Sequence, residues 1–387
     1  MVKFPELGCE SEKVLQELEQ ICQSDFSYQD GTIFNSICTS PLPIAVKVYN
    51  KYIHTNLGDN RLFPGAKNIE KKTVALLADL LKGQDAVGSI VSGGTEANLL
   101  ALIAATRNQK KSTDSPEVVV SENIHFSVQK AAKFLRVKLV FCGLDRNFRA
   151  NVQLIKQAIN RNTVAIMVTA GTSDLGIIDP IAEIAEIALE NDLYLHVDAA
   201  TGGFIIPFAK SNGCELPDFD FSLNGVASIT IDPHKYGFSV IPAGCILFRN
   251  ADYLEYLRIS SYFLGTHDHF TLIGTRNGAS ALATYAVCRF LGWQGFKDKI
   301  AEIYKKRDFF IDLIIKSGLS LFVGPQLPIV GINSRNPVAV LAELEKAGYI
   351  ISVSKQHKFI RIVIQDHQNY DQLANLAQKI SNAEKNL

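Results

Sequence analysis

The sequence predicts an α/β protein: one large, mostly parallel sheet covered by helices on both faces, followed by a smaller α+β domain. Three observations carry this. Short apolar runs alternate with helix-period segments between about residues 117 and 248, as successive βαβ units require. Most of those runs read as continuously apolar, which suits strands buried on both faces. Beyond about residue 275 the pattern changes to long helical stretches with two late strands. The expected division is an N-terminal segment 1–50, a large domain 51–280 and a small domain 281–387.

In chain order, NIEKKTVALLADLLK (68–82) sets Ile69, Val74, Leu77, Leu80 and Leu81 at helical spacings, with Gly83 as its stop. The expected strands are EVVVS 117–121, KLVFCG 138–143, VAIMVTAG 164–171, YLHVDAA 194–200, SITID 228–232 and GCILF 244–248. Helices fit between the first four, at 126–136, 151–160 and 180–191, the last opening on Asp179 and Pro180 as cap and first-turn residue. A long helical stretch runs through ALATYAVCRFLGW and AEIYKKRDFFIDLIIKS. Strands IVGIN 329–333 and FIRIVIQ 359–365 then flank the helix-like NPVAVLAELEKAG.

Composition narrows the function. The 387 residues are 47% hydrophobic and 20% charged, the make-up of an ordinary globular chain with a large core. Lys plus Arg number 39 against 39 Asp plus Glu, so no global field holds a polyanion and no nucleic-acid partner is expected. The first residues are broken by Lys3, Glu6, Glu10, Glu12 and Lys13, unlike a secretory signal. No apolar run approaches the roughly 18 residues that span a bilayer, so no membrane partner is expected. Seven cysteines without a C-x-x-C pair argue against a disulfide framework or zinc ribbon. A cytoplasmic protein is expected.

Ligands of open α/β sheets bind at the carboxyl ends of the strands, and four polar clusters fall there. Ser92-Gly93-Gly94-Thr95-Glu96-Ala97-Asn98 is a glycine turn opening onto a helix, whose free amides suit a phosphate. A bare structural turn competes, and the segment fits neither G-x-x-x-x-G-K-[ST] nor G-x-G-x-x-G. Asp198 ends the apolar strand of HVDAA; a carboxylate buried there needs a cation or donors, or else caps a helix. Lys235, in Asp232-Pro233-His234-Lys235, follows the strand SITI; partly buried it is an amine nucleophile, and solvent-facing it is nothing special. Gly171-Thr172-Ser173 also follows a strand. Phosphate cradle, buried acid, lysine and hydroxyl on one sheet edge are together what pyridoxal 5′-phosphate needs.

Five blocks then carry a resemblance: SITIDPHKYGFSVIPAGCILFR (228–249), with ITIDPHK (229–235) inside it, TNLGDNRLFPGAKNIE (55–70), SGGTEANL (92–99), HVDAATGGFIIPF (196–208) and GTRNG (274–278). They resemble the group II pyridoxal-phosphate-dependent decarboxylases of the aspartate aminotransferase fold type (fold type I), above all the archaeal-type members acting on tyrosine and aspartate. The resemblance implies decarboxylation of an L-amino acid to its amine and CO2: tyrosine to tyramine, aspartate to β-alanine, or glutamate. It implies Lys235 as the Schiff-base lysine, Asp198 as partner of the cofactor's ring nitrogen, and His125 and Ala200 against the two ring faces. Gly94, Thr95 and His234 would hold the phosphate, and Thr172 would lie near the ring hydroxyl or Asp198. Thr275 would reach the phosphate from the second subunit of a homodimer. Tyr262 would be the proton donor on a mobile loop, and Arg361 would grip the substrate carboxylate, with an exposed structural arginine as the competing reading.

The substrate side-chain pocket is expected to draw on the segment near Phe34, Asn35 and Ser36 and on residues of the partner chain. His267-Asp268-His269 offers too few ligands for a metal, so none is expected. An aminotransferase, a cysteine desulfurase, a carbon–carbon lyase similar to sphingosine-phosphate lyase and a non-catalytic cofactor binder are the alternatives. The block 228–249 favours decarboxylation over the first, and the absence of an expected membrane segment counts against the lyase.

Overall fold

The computed structural model describes residues 3–108, 113–261 and 268–386. Seven strands form the main sheet: β1 (Val87–Val91), β2 (Glu117–Ser121), β3 (Lys138–Cys142), β4 (Thr163–Thr169), β5 (Tyr194–Asp198), β6 (Val226–Ile231) and β7 (Gly244–Phe248), in the order β1-β7-β6-β5-β4-β2-β3. The pairings from β6 through β5, β4 and β2 to β3 are parallel. Only β7 runs against both its neighbours. The mostly parallel sheet read from the sequence is therefore present, with one antiparallel strand.

Helices close both faces. On one side α4 (Gly94–Arg107) and α5 (Phe126–Leu135) cover a cluster that includes Val118, Val120 and Met167. On the other, Val119, Ile166, Val168, Leu195 and Val197 join the larger core, with α3 (Pro64–Leu80), α6 (Val152–Ala158), α7 (Ile181–Glu190) and α8 (Ile206–Ser211). In β4 consecutive residues feed opposite cores, so the run is apolar throughout. The strands β5 and β6 depart from that rule. Tyr194, His196 and Asp198 alternate with Leu195 and Val197, and Ser228 and Thr230 alternate with Ile229 and Ile231, yet every one is buried. A strand places alternate residues on one face, so these form a buried polar stripe beneath α4.

The small sheet, β10 (Ile329–Asn333), β11 (Ser352–Ser354) and β12 (Phe359–Val363), is antiparallel in the order β10-β12-β11. It packs with α11 (Pro337–Lys346) and α12 (Tyr370–Lys385). A two-stranded pair, β8 (Ile259–Ser260) with β9 (Asp268–His269), and the short α9 (Ala251–Glu255) complete the large unit. The helix α10 (Gly278–Lys316) joins the two units and kinks at Gly292, whose φ is 58°. Near its start Ala281 O accepts from Thr73 of α3; further along, Tyr304 and Lys306 donate to carbonyls at Gln326 and Asp366.

The N-terminal part holds α1 (Ser11–Cys22), with no buried residue, and α2 (Pro43–Tyr52). Between them the chain crosses to the small unit. Phe34 N donates to Ile350 O at 2.7 Å, and Val363 N donates to Phe34 O at 2.8 Å.

A buried ion pair ties the GTRNG loop to the sheet. Arg276 donates to Glu70 of α3 and to Ile90 O of β1, while Ile90 N donates to the same carboxylate at 3.2 Å. Burial opposes ionisation of Glu70, but Arg276 and Lys67 hold its carboxyl below the ordinary range. Glu70→Ala leaves a buried guanidinium unpaired, and urea unfolding is expected to show a loss of about 3–5 kcal/mol.

Candidate active site

The carboxyl ends of β4, β5 and β6 meet the first turn of α4 around a cavity of about 300 Å³. Two acids form its buried side. Asp198, ending β5, is 4% exposed; its Oδ2 accepts from Asn98 Nδ2 at 2.7 Å and its Oδ1 from Ala200 N at 3.1 Å. Asp232, just past β6, has Oδ2 at 3.3 Å from Lys235 Nζ and 3.6 Å from His234 Nε2. Its Oδ1 is buried without a partner among the described residues. An acceptor left so is costly, and Asp232 lines the same space as Lys235.

The turn after β6 aims the lysine. Lys235 N donates to Asp232 O at 3.0 Å, and Thr39 Oγ1 of the N-terminal segment donates to Lys235 O at 2.6 Å. Ala243 N donates to His234 Nδ1 at 3.2 Å, so a neutral His234 carries its proton on Nε2. Burial lowers the His234 pKa. Across the cavity His125 caps α5, accepting at Nδ1 from Ser127 N at 3.3 Å. Burial lowers its pKa as well. His125 therefore both caps α5 and lines the cavity.

Close approach explains the glycine turn. A Cβ at position 94 would stand 2.9 Å from Asp232 Oδ2 and 3.3 Å from Ala200 Cβ, inside the space a ligand would use. A Cβ at Gly244 would meet Gly93 Cα at 2.4 Å, so β7 and the turn must both be bare there. Glu96 fixes the turn by accepting at Oε2 from Ser92 N and Ser92 Oγ, both at 2.8 Å.

Of the residues singled out in the sequence, Gly94, Thr95, His125, Asp198, Ala200, His234 and Lys235 line this one cavity. Thr172 does not. It is fully buried and accepts at Oγ1 from Ile177 N at 3.1 Å, inside the turn, while Gly171 and Ser173 face the cavity. Thr275 lies in neighbouring hollows, with Ser92 and Pro242 on one side and Asn56 and Asp59 on the other. Arg361 stands behind the wall, donating to Ser173 O at 2.8 Å, Asn35 O at 2.7 Å and Ser352 Oγ at 3.0 Å. Burial brings its pKa down to about 10. Phe34, in the segment expected to border the side-chain pocket, has a fully buried ring that stacks on Tyr349 in the core. Tyr262 and His267 lie outside the described residues. Among those described, no group of three or more acidic, histidine or cysteine side chains could hold a metal, and no helix is long and apolar enough to cross a membrane.

Among the lining residues given no role of their own from the sequence are Asn98, Thr169, Thr201 and Asp232. Thr169 pairs in register with Asp198 and buries an unpartnered hydroxyl. Asn98 had a legible signal, since it falls four residues after Gly94 and so on the same face of α4.

Residues 2–330 match the family model described as the pyridoxal-dependent decarboxylase conserved domain. A probable L-tyrosine/L-aspartate decarboxylase of Methanothermobacter thermautotrophicus is 43% identical, over 88% of this chain and 94% of that protein. The L-aspartate decarboxylase of Thermococcus kodakarensis is 42% identical, over 99% of this chain and 100% of its own length. An L-aspartate/L-glutamate decarboxylase of Pyrococcus horikoshii is 41% identical over 95% of each chain. Among solved structures, a sphingosine-1-phosphate lyase of Burkholderia pseudomallei superposes with a TM-score of 0.92 at 23% identity, covering 100% of this chain and 93% of that one. A glutamate decarboxylase of Lactobacillus brevis gives 0.86 at 21%, covering 100% and 95%. At such identities these two structures establish the shared fold.

The polar stripe also predicts an acid response. Burial lowers the His196 pKa to about 4, below the roughly 6.5 of an unfolded histidine. The unfolded chain therefore binds the extra proton, and stability present above pH ~6.5 is lost as the pH falls toward ~4. Urea unfolding across that window is expected to lose up to about 3 kcal/mol from this group, and His196→Gln to flatten that part of the curve.

Proposed function

The chain belongs to the pyridoxal-dependent decarboxylase family, and from that premise we propose that it converts L-aspartate to β-alanine and CO2, using Lys235 as its cofactor-binding amine. As a family member it is a pyridoxal-phosphate-dependent amino-acid decarboxylase with the type I fold. Aspartate is the substrate common to the names of the three relatives described above. The observation that carries the site assignment is the convergence of Lys235 Nζ, the Asp198 carboxylate and the α4 amides on one cavity.

The cavity suits the cofactor: it combines an amine, two buried carboxylates, one with an unpartnered oxygen, and a bare helix start. Pyridoxal phosphate, when bound, supplies an aldehyde and a ring that accepts the electron pair left by departing CO2. Lys235 is the amine that an incoming amino acid displaces. Asp198, held by two donors, keeps a proton on the ring nitrogen. The amides of Gly94 and Thr95, with the Nε2 proton of His234, hold the phosphate. His125 covers one ring face and Ala200 the other. Arg361 orients the substrate carboxylate from behind Ser173, and Tyr262 delivers the proton to Cα. Thr172, in the turn after β4, accepts from Ile177 N, and the hydroxyl of Thr169 lies in register with Asp198.

A homodimer completes the site. Thr275 lies outside the cavity of its own chain, consistent with reaching a second copy's phosphate site. The helix α1 buries no residue, and its Val14, Leu15, Leu18 and Ile21 stand exposed, an apolar face that a second copy would cover. Seven free cysteines fit work in the reducing cytoplasm.

Purified protein loaded with pyridoxal phosphate and offered a panel of L-amino acids is expected to release stoichiometric β-alanine and CO2 from aspartate. Tyramine as the main product would transfer the assignment to tyrosine; no amine from any substrate would overturn decarboxylation by this chain. Lys235→Ala is expected to lose both turnover and the visible absorption of lysine-bound cofactor. Sedimentation velocity is expected to give twice the mass of the chain.

A further inference from the structure

The buried stripe beneath α4 is a directed chain of hydrogen bonds, and its direction follows from one unambiguous donor. Ser127 N–H points at His125 Nδ1, so that nitrogen accepts. The Ser127 hydroxyl, 2.8 Å from the same nitrogen, therefore donates to it and has lone pairs left for Asn98 Nδ2 at 2.9 Å. This fixes the orientation of the Asn98 carboxamide. Its other N–H goes to Asp198 Oδ2 at 2.7 Å. Asn98 Oδ1 then accepts, from Thr230 Oγ1 at 2.8 Å and from His196 Nε2 at 3.0 Å. With its proton on Nε2, His196 accepts at Nδ1 from Ser228 Oγ at 2.7 Å, and Ser228 accepts from the Tyr194 hydroxyl at 2.7 Å. Asn98, Tyr194, His196, Ser228 and Thr230 are all 1% exposed or less.

We propose that Asn98 is a positioning residue for the decarboxylation, its single carboxamide nitrogen holding the Asp198 carboxylate and, through Ser127, the tautomer of His125 in one fixed relation. The inference rests on the reading of Asp198 and His125 as the residues at the ring nitrogen and on the ring face. A carboxamide can give two hydrogens from one atom and accept two at the other. Both donations and both acceptances are in use. Aspartate has the same shape but lacks the donors and would set a second carboxylate against Asp198. Alanine would take the side-chain donor from Asp198 Oδ2 and the acceptor from Thr230 Oγ1, and would leave His196 Nε2 only Thr230 Oγ1, at 3.2 Å.

The test uses cofactor-loaded protein with three readouts beyond turnover: the visible spectrum, the 15N spectrum of selectively labelled histidine, and thermal melting. Asn98→Ala is expected to lower kcat about 10- to 100-fold, the span that loss of one hydrogen bond to a charged group brings, with KM for aspartate little changed. The visible band is expected to shift, and His125 to pass from one Nε2–H form to a mixture. Ser127→Ala is expected to move the His125 signal and leave the visible band in place, separating the two branches. A variant with a lower melting temperature but wild-type kcat, band and His125 signal would mean a structural residue only and overturn the proposal. A fall in kcat with both spectra unchanged overturns it too. If Asn98→Ala does not fold, Thr230→Val removes one hydroxyl that anchors Asn98 Oδ1 and keeps the volume. It is expected to move the same readouts less far, and no movement overturns the proposal. Wild-type protein that develops no visible band with pyridoxal phosphate would instead sink the underlying reading of the site.

Discussion

Asp198 and Asp232 sit at the carboxyl ends of adjacent parallel strands, each at most 4% exposed. Burying a carboxylate costs several kcal/mol unless donors or a cation meet it, and much of the surrounding architecture meets that demand. Around Asp198 the demand is satisfied by Asn98 from α4 and by the backbone of Ala200. Around Asp232 it is met by Lys235, three residues on, and half left open, since one oxygen has no partner among the described residues. The asymmetry separates the two. Asp198 is held at both oxygens, whereas Asp232 meets Lys235 Nζ through one oxygen alone.

The small unit and the N-terminal segment provide the wall that the sheet cannot. Arg361 of β12 ties Ser173, on the cavity, to Asn35 and Ser352. Gln365 donates to Ser36 O at 2.7 Å and to Cys38 O at 3.2 Å, and Gln368 donates to Ile33 O at 3.1 Å. Thr39 then reaches the backbone of Lys235. Through residues 35–39 these hydrogen bonds connect the small unit to the backbone of Lys235. Tyr28 adds to it, donating to Cys38 O at 2.8 Å.

How far the site was legible depended on whether a residue's role was local. Gly94 and Thr95 follow from a glycine turn before a helix, Asp198 and Lys235 from polar residues at strand ends. Strand positions were legible as apolar runs, but the direction of β7 was not, because an apolar run carries no sign of parallel or antiparallel pairing. The local contact of Thr172 was not legible, because Gly171, at a φ of 102°, turns the chain so that residue 172 meets Ile177. The burial of the Phe34 ring was not legible, because its backbone joins the small sheet and carries the ring into the core. The alternation in YLHVD and SITID was present in the sequence, yet its meaning appeared only when both polar faces proved to lie under α4.

The sequence by itself determined the α/β class, the family and the chemistry at the strand ends, because hydrophobic period, turn composition and short contiguous blocks are properties of neighbouring residues. Only the tertiary structure decided which donors reach Asp198, that Asn98 joins it to His125, and that Arg361 braces Ser173 from a strand 188 positions away. Hydrogen-bond direction is set by where partners stand in space, and those partners come from segments with no sequence relation to one another.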